Sequence, residues 1–305
     1  MEDIETECSD VSQKNTFSIG SLLRTVYHIV YFFGHSAVAC WGIIIWCNIS
    51  DKHMEHPAIY YLKYLAIAFF TNWNFSFQTI FLGLSLLHDI LEWSGKHNGN
   101  LGSKVRYWRD VLFSGCVLPF TLFVSSMFWT VYAIDRELVF PRIYDEVVPW
   151  WFNHCVHTNI LIVLALETLL QPRRHPADEK VELTIYWGVA IAYAVVYYTI
   201  YFATHHWLYQ VFGVMTWWQV VIYQLFIWGM SYIFYRLQFP INRLFHGEER
   251  PETETNGEKM ANGTDNIPKG ENTKVITNLK APPFSTRSWS LKFRSLRNHF
   301  ETSRL

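Results

Sequence analysis

Two imidazoles and a carboxamide stand inside an apolar run long enough to cross a bilayer. They belong to Asn153-His154-x-x-His157-Thr158, within the stretch 150–170. Polar and ionisable side chains are costly at membrane depth, so such a cluster is a functional-site hypothesis by default. Pro149 suits the first position of a helix and cannot continue one from its N-terminal side, which makes it a natural start for the segment. His154 and His157 then lie about one turn apart on a shared face. Three chemistries fit the pair: hydrogen bonds between packed helices, a general base, or two metal ligands.

The elements that position these residues follow from composition. The chain has 305 residues, of which 50% are apolar and 18% aromatic. Its mean hydropathy is near zero because a polar tail dilutes a very apolar front. Six runs approach the roughly 20 residues that span the hydrocarbon core: 25–47, 60–88, 111–133, 150–170, 183–204 and 217–237. The expected fold is all-α, a polytopic bundle of six transmembrane helices with an interior cavity. The second run is long enough to tilt or pass the interface, and the dense Tyr and Trp of the fifth and sixth read as interfacial anchors. The first run is too long for a cleavable leader and serves as its own insertion signal.

Orientation follows from Lys and Arg. Lys14 and Arg24 precede the first span, Lys96, Lys104, Arg106 and Arg109 fill the second connection, and Arg173, Arg174 and Lys180 follow the fourth. Arg236, Arg243 and a basic tail follow the sixth, whereas the opposite connections hold only Lys52, Arg136 and Arg142. The positive-inside rule puts both termini in the cytosol. The host is the plasma membrane or the endoplasmic reticulum and its derived membranes. A net charge of −1 excludes a general nucleic-acid role. Cys8, Cys40, Cys47, Cys116 and Cys155 outline no disulfide framework.

Residues 1–24 form a cytosolic arm and 25–245 the six-helix domain. Residues 246–284, rich in Glu, Asn, Thr, Gly and Lys, read as a disordered linker. In 285–305, Trp289, Phe293, Leu296 and Phe300 recur at helical spacing among Arg and Lys. That is a basic amphipathic segment suited to anionic lipid. The sequence names no protein partner.

Several stretches together resemble the androgen-induced-gene family, which includes the androgen-dependent regulator of tissue factor pathway inhibitor. The likeness is carried by Arg109-Asp110, by Phe128-Trp129-x-x-Tyr132-Ala133-x-Asp135-Arg136-Glu137 with Pro141, and by Pro149, Trp151, Asn153-His154-x-x-His157-Thr158 and Glu167. The second span has the same spacing from Thr71 through Gln78 and Gly83 to Asp89. The resemblance implies an intramembrane hydrolase of fatty acid esters of hydroxy fatty acids, a carboxylic ester hydrolase with a threonine nucleophile and a histidine. Carried across by position, the threonine falls on Thr71 and the histidine on His157. No cofactor or metal is implied, and the partner is a lipid substrate within the bilayer.

Physical reading is compatible with that assignment. The second and fourth spans run the same way, and Thr71 and His157 lie about 16 Å and about 12 Å along them at 1.5 Å per residue. A threonine hydroxyl needs a base to take its proton, and a neutral imidazole suits that task. Asn74 and Gln78 share a stripe with Thr71 and are candidate oxyanion donors or packing partners of the fourth span. Asn153 and His154 are candidates to orient His157 or to hold a substrate oxygen. Arg136 is a candidate for the substrate's free carboxylate, or a member of a paired charge cluster with Asp135 and Glu137. Asp89 and Glu167 lie too far inward for a triad acid, so a dyad is expected. Where the family pattern has a histidine pair this chain has Tyr201 and Phe202, and His205 and His206 come one turn later; Gln210 replaces a proline.

Two other classes compete. His28, His35, His88, His154, His157, His205 and His206 are numerous enough to ligate a metal or haem in an intramembrane oxidoreductase. A lipid-binding regulator without chemistry is favoured if Thr71 and His157 do not meet.

Overall fold

The computed structural model describes residues 19–50, 52–173 and 179–247. The expected amphipathic segment, nearly all of the expected linker and most of the N-terminal arm lie outside these residues. Among the described residues all regular structure is helical. In chain order the helices are α1 (Ile19–Asn48), α2 (Pro57–Leu65), α3 (Phe70–Trp93), α4 (Asn100–Leu112), α5 (Leu118–Ile134), α6 (Trp150–His154), α7 (Ile160–Leu170), α8 (Lys180–Thr204) and α9 (Trp217–His246). A π-helical turn at Phe113–Val117 joins α4 to α5, and a second at Cys155–Asn159 joins α6 to α7.

Ile19–Asn48, Asn100–Ile134, Trp150–Leu170, Lys180–Thr204 and Trp217–His246 are long and apolar enough to cross a bilayer. With 24 residues, α3 is about 36 Å long but more polar. Its buried face includes Asn74, Gln78, Ser85, His88 and Asp89. The chain is a polytopic all-α membrane protein. Outward faces of α1, α8 and α9 carry exposed Phe33, Ile43, Ile191, Val195, Ile222 and Leu225, as befits helices whose solvent is lipid.

The second expected span is broken, and this corrects the sequence reading of one continuous helix over 60–88. A short 3₁₀ turn, Ala66–Ala68, follows α2, and Phe69 is extended at φ −69°, ψ 130°. Side-chain donors hold the carbonyls of that turn: Asn72 Nδ2 reaches Ala66 O at 2.6 Å and Trp73 Nε1 reaches Ile67 O at 2.9 Å. Local side-chain bonds of this kind offer the backbone an alternative to the helix.

Packing places α3 at the centre, against α1 on one side and α4 and α5 on the other, while α5 also packs on α7 and α9. One apolar core joins Tyr27, Phe81, Leu82, Phe113, Leu118 and Val163, and a second joins Phe70, Phe75, Phe120, Val124, Val156, Ile160 and Tyr186. Gly115 brings the first π turn against α8: a Cβ there would stand 3.0 Å from Glu182 O.

The end of the bundle that bears the basic connections is tied by buried ion pairs. His28 Nδ1 lies 2.5 Å from Asp89 Oδ2, and its Nε2 lies 3.0 Å from Glu167 Oε2. Arg24 Nε pairs with Asp89 at 3.0 Å, and Arg173 pairs with both Glu167 and Asp110. The Arg173 guanidinium also stacks 4.2 Å above the Phe113 ring. Asp89 and Glu167 are thereby occupied far from the other end, where α3 and α6 begin.

Candidate active site

The break in the second span puts Thr71 in the first turn of α3. There the helix has backbone N–H groups without intrahelical acceptors and the positive end of its dipole. The Phe70 amide is satisfied from outside the helix, by Tyr209 Oη at 3.0 Å. His157 enters from the second π turn, a geometry often found at functional sites.

Thr71 Oγ1 and His157 Nε2 are 3.2 Å apart. His157 Nδ1 lies 3.1 Å from the carbonyl oxygen of Asn153. A carbonyl only accepts, so Nδ1 carries the proton and Nε2 is left to accept from the Thr71 hydroxyl. The Phe128 ring stacks on the imidazole at a centroid distance of 3.6 Å, which shields it and fixes its plane. Among the described residues no carboxylate contacts His157, and the imidazole is oriented by a backbone carbonyl.

The other residues singled out from the sequence have distinct environments. Asn74 is fully buried; Thr121 Oγ1 donates to its Oδ1 at 3.2 Å, and its Nδ2 has no partner. Both ends of the Gln78 amide are occupied, Oε1 by His35 Nε2 at 2.8 Å and Nε2 by Ile160 O at 3.1 Å. Asn153 is buried, with its Oδ1 unpartnered. His154 is exposed and bonds Thr158 Oγ1 at 3.1 Å. Sequence spacing put His154 and His157 on one face. In a turn closed by i→i+5 bonds, three residues cover less of the circle, so one imidazole faces out and the other in. Arg136 donates from one nitrogen to both Asp145 oxygens at 2.9 Å and from Nε to Phe140 O at 3.2 Å. The Asp145 hydrogen bond holds its guanidinium pKa above the ordinary value.

The histidines do not converge. His28, His35 and His157 each have separate partners, and His205 and His206 are exposed at the end of α8. Among the described residues, His88, Asp89 and Glu92 lie close enough to share a cation. The Arg24 guanidinium already occupies that position, paired to both carboxylates.

Thr71 lines an apolar cavity between α3, α5, α8 and α9. Its atom-free space, the open side included, is about 1000 Å³. Phe70, Phe120, Phe123, Met127 and Phe128 line it together with Tyr186, Tyr193, Tyr197 and Tyr209. Among the described residues no charged side chain lines it. These tyrosines were missed when the aromatics of the fifth span were read as interfacial anchors. Their helical spacing at 186, 193 and 197, with Ala190 and Ala194 between, was the available signal.

A threonine–histidine pair against an apolar cavity in an all-α membrane bundle defines the class of protein. The chain belongs to the FAR-17a/AIG1-like protein family, whose model matches residues 28–243. It is similar to the human Androgen-dependent TFPI-regulating protein, 34% identical over 143 residues, which are 46% of this chain and 60% of that protein. The Mesocricetus auratus protein of that name is 32% identical over 181 residues, 59% of this chain and 74% of that one. The human Androgen-induced gene 1 protein is 27% identical over 170 residues, 54% of this chain and 70% of the relative. No solved structure matches.

Proposed function

We propose that the chain is an intramembrane ester hydrolase in which Thr71 is the nucleophile and His157 the general base. The observation that carries this reading is the 3.2 Å contact between Thr71 Oγ1 and an Nε2 whose ring is protonated at Nδ1. His157 takes the hydroxyl proton as Oγ1 attacks the acyl carbonyl, then returns it to the departing alcohol. A water deprotonated by the same nitrogen cleaves the acyl-threonine and releases the acid. The Thr71 amide, the first-turn N–H of α3 left beside the bonded Phe70 and Asn72 amides, and the unpartnered Nδ2 of Asn74 are the donors for the oxyanion.

The substrate class implied by the family resemblance is the fatty acid ester of a hydroxy fatty acid. An apolar cavity beside the nucleophile suits the acyl part of such a lipid. Thr71→Ala is expected to abolish turnover of such an ester by membranes containing the protein, and labelling by an active-site-directed hydrolase probe. Thr71→Ser, which keeps a hydroxyl, retains part of both. Peptide mapping of the adduct is the direct readout: modification elsewhere, or full activity in Thr71→Ala, overturns the assignment.

A further inference from the structure

The cavity beside Thr71 holds phenolic protons that no protein group uses. Tyr209 Oη accepts from the Phe70 amide at 3.0 Å and from Tyr193 Oη at 3.2 Å. Either phenol can supply the bridging proton, so the pair always has one left to donate. One turn along α8, the ring of Tyr197 is buried and stacks near both others, at centroid distances of 6.4 and 6.5 Å. Its hydroxyl is buried with no partner. Buried hydroxyls without acceptors are rare in folded proteins and call for an explanation. Here all three tyrosines line the cavity, and Tyr209 Oη meets the amide that precedes the proposed nucleophile.

We propose that the hydroxyls of Tyr197 and of the Tyr193–Tyr209 pair form an uncharged donor site for the carbonyl oxygen of a lipid ester. This rests on the hydrolase reading for the identity of the ligand as an ester. The chemistry of the walls sets the selectivity. A carbonyl oxygen needs donors and no counter-charge. An ionised carboxylate buried among Phe70, Phe120, Phe128 and Tyr186, with no cationic side chain lining the space, would lose its hydration without recovering an ion pair. The site therefore takes the ester group and leaves any free carboxylate of the same lipid at the open side.

The test uses the full chain carrying Thr71→Ala, in nanodiscs of ether-linked phosphatidylcholine, which contributes no ester carbonyl. The probe is methyl palmitate labelled with ¹³C at the carbonyl, read by isotope-edited infrared spectroscopy. The bound carbonyl band is expected at lower frequency than in protein-free discs. Tyr193→Phe, Tyr197→Phe and Tyr209→Phe together, which keep all three rings, should remove that shift and weaken binding about tenfold, the loss of one neutral hydrogen bond. Hexadecane should bind the two proteins equally, and palmitate more weakly than its ester. An unchanged band and affinity in the Phe variant, a parallel loss for hexadecane, or palmitate binding as tightly as the ester overturns the proposal. Turnover is scored separately: wild-type rates in Thr71→Ala would sink Thr71 as the nucleophile, and no ester turnover by the wild-type chain would sink the hydrolase reading, while the carbonyl band still decides the donor site.

Discussion

His157 Nδ1 donates to the carbonyl oxygen of Asn153, four residues back, and that bond decides which nitrogen is left for Thr71. The proposed base is thus oriented by its own helix and by the Phe128 ring, and among the described residues no acidic side chain touches it. Its effect belongs to the transition state, so His157→Ala is expected to lower turnover about a hundredfold or more at unchanged membrane insertion. His154→Ala, which removes an exposed ring bonded only to Thr158, should leave the rate within severalfold of wild type. Equal losses from both, measured on equal amounts of inserted protein, would reject this division of roles. His157 was legible as a candidate because an imidazole in an apolar span is conspicuous. Thr71 was not, since threonines are ordinary packing residues in such spans; only its place in the family motif marked it.

At the scale of elements, the decisive feature is the break between α2 and α3. It turns Thr71 from a mid-helix residue into a first-turn residue, at the positive end of the helix dipole. Neither glycine nor proline marks the break in 66–69, and the apolar run continues through it, so hydropathy reads one helix. The bonds from Asn72 and Trp73 to Ala66 O and Ile67 O hold it open. Each contributes about 0.5–1.5 kcal/mol. Asn72→Ala combined with Trp73→Phe is therefore expected to slow probe labelling of Thr71 severalfold and to lower the melting temperature in micelles. Wild-type labelling kinetics in that double variant would show that the break is held by other contacts.

Over the whole molecule, the two ends of the bundle do different work. The end that bears the basic connections carries Arg24, His28, Asp89, Glu167 and Arg173 in a buried network joining α1, α3 and the end of α7. Removing one partner of such a network leaves a buried charge uncompensated and costs about 3–5 kcal/mol. Glu167→Ala, which takes one buried acceptor from each of His28 and Arg173, should lower the thermal midpoint in micelles far more than Glu179→Ala, whose partner Arg236 is exposed. Similar midpoints for the two variants would remove the network from the account of stability. Arg24, Arg109 and Arg173 are thus occupied inside the bundle, while Lys96, Lys104 and Arg106 remain exposed to act on orientation. With both termini expected in the cytosol, a cysteine placed at Asp145 should react with impermeant reagents in sealed cells and terminal tags should not. Labelling of the termini would reverse the orientation.

The sequence by itself determined the solvent of this protein and the class of its fold. Runs of 20 or so apolar residues leave no alternative to helices that satisfy their own backbone groups in lipid. It also supplied the family, through residues that stand close together along the chain. Tertiary structure alone decided where α3 begins, which face of the second π turn looks inward, and that Tyr193, Tyr197 and Tyr209 meet beside Thr71. Those outcomes depend on bonds such as Phe70 N–H to Tyr209 Oη and Thr71 Oγ1 to His157 Nε2. Their partners lie 139 and 86 residues apart, a separation at which local periodicity carries no information about contact.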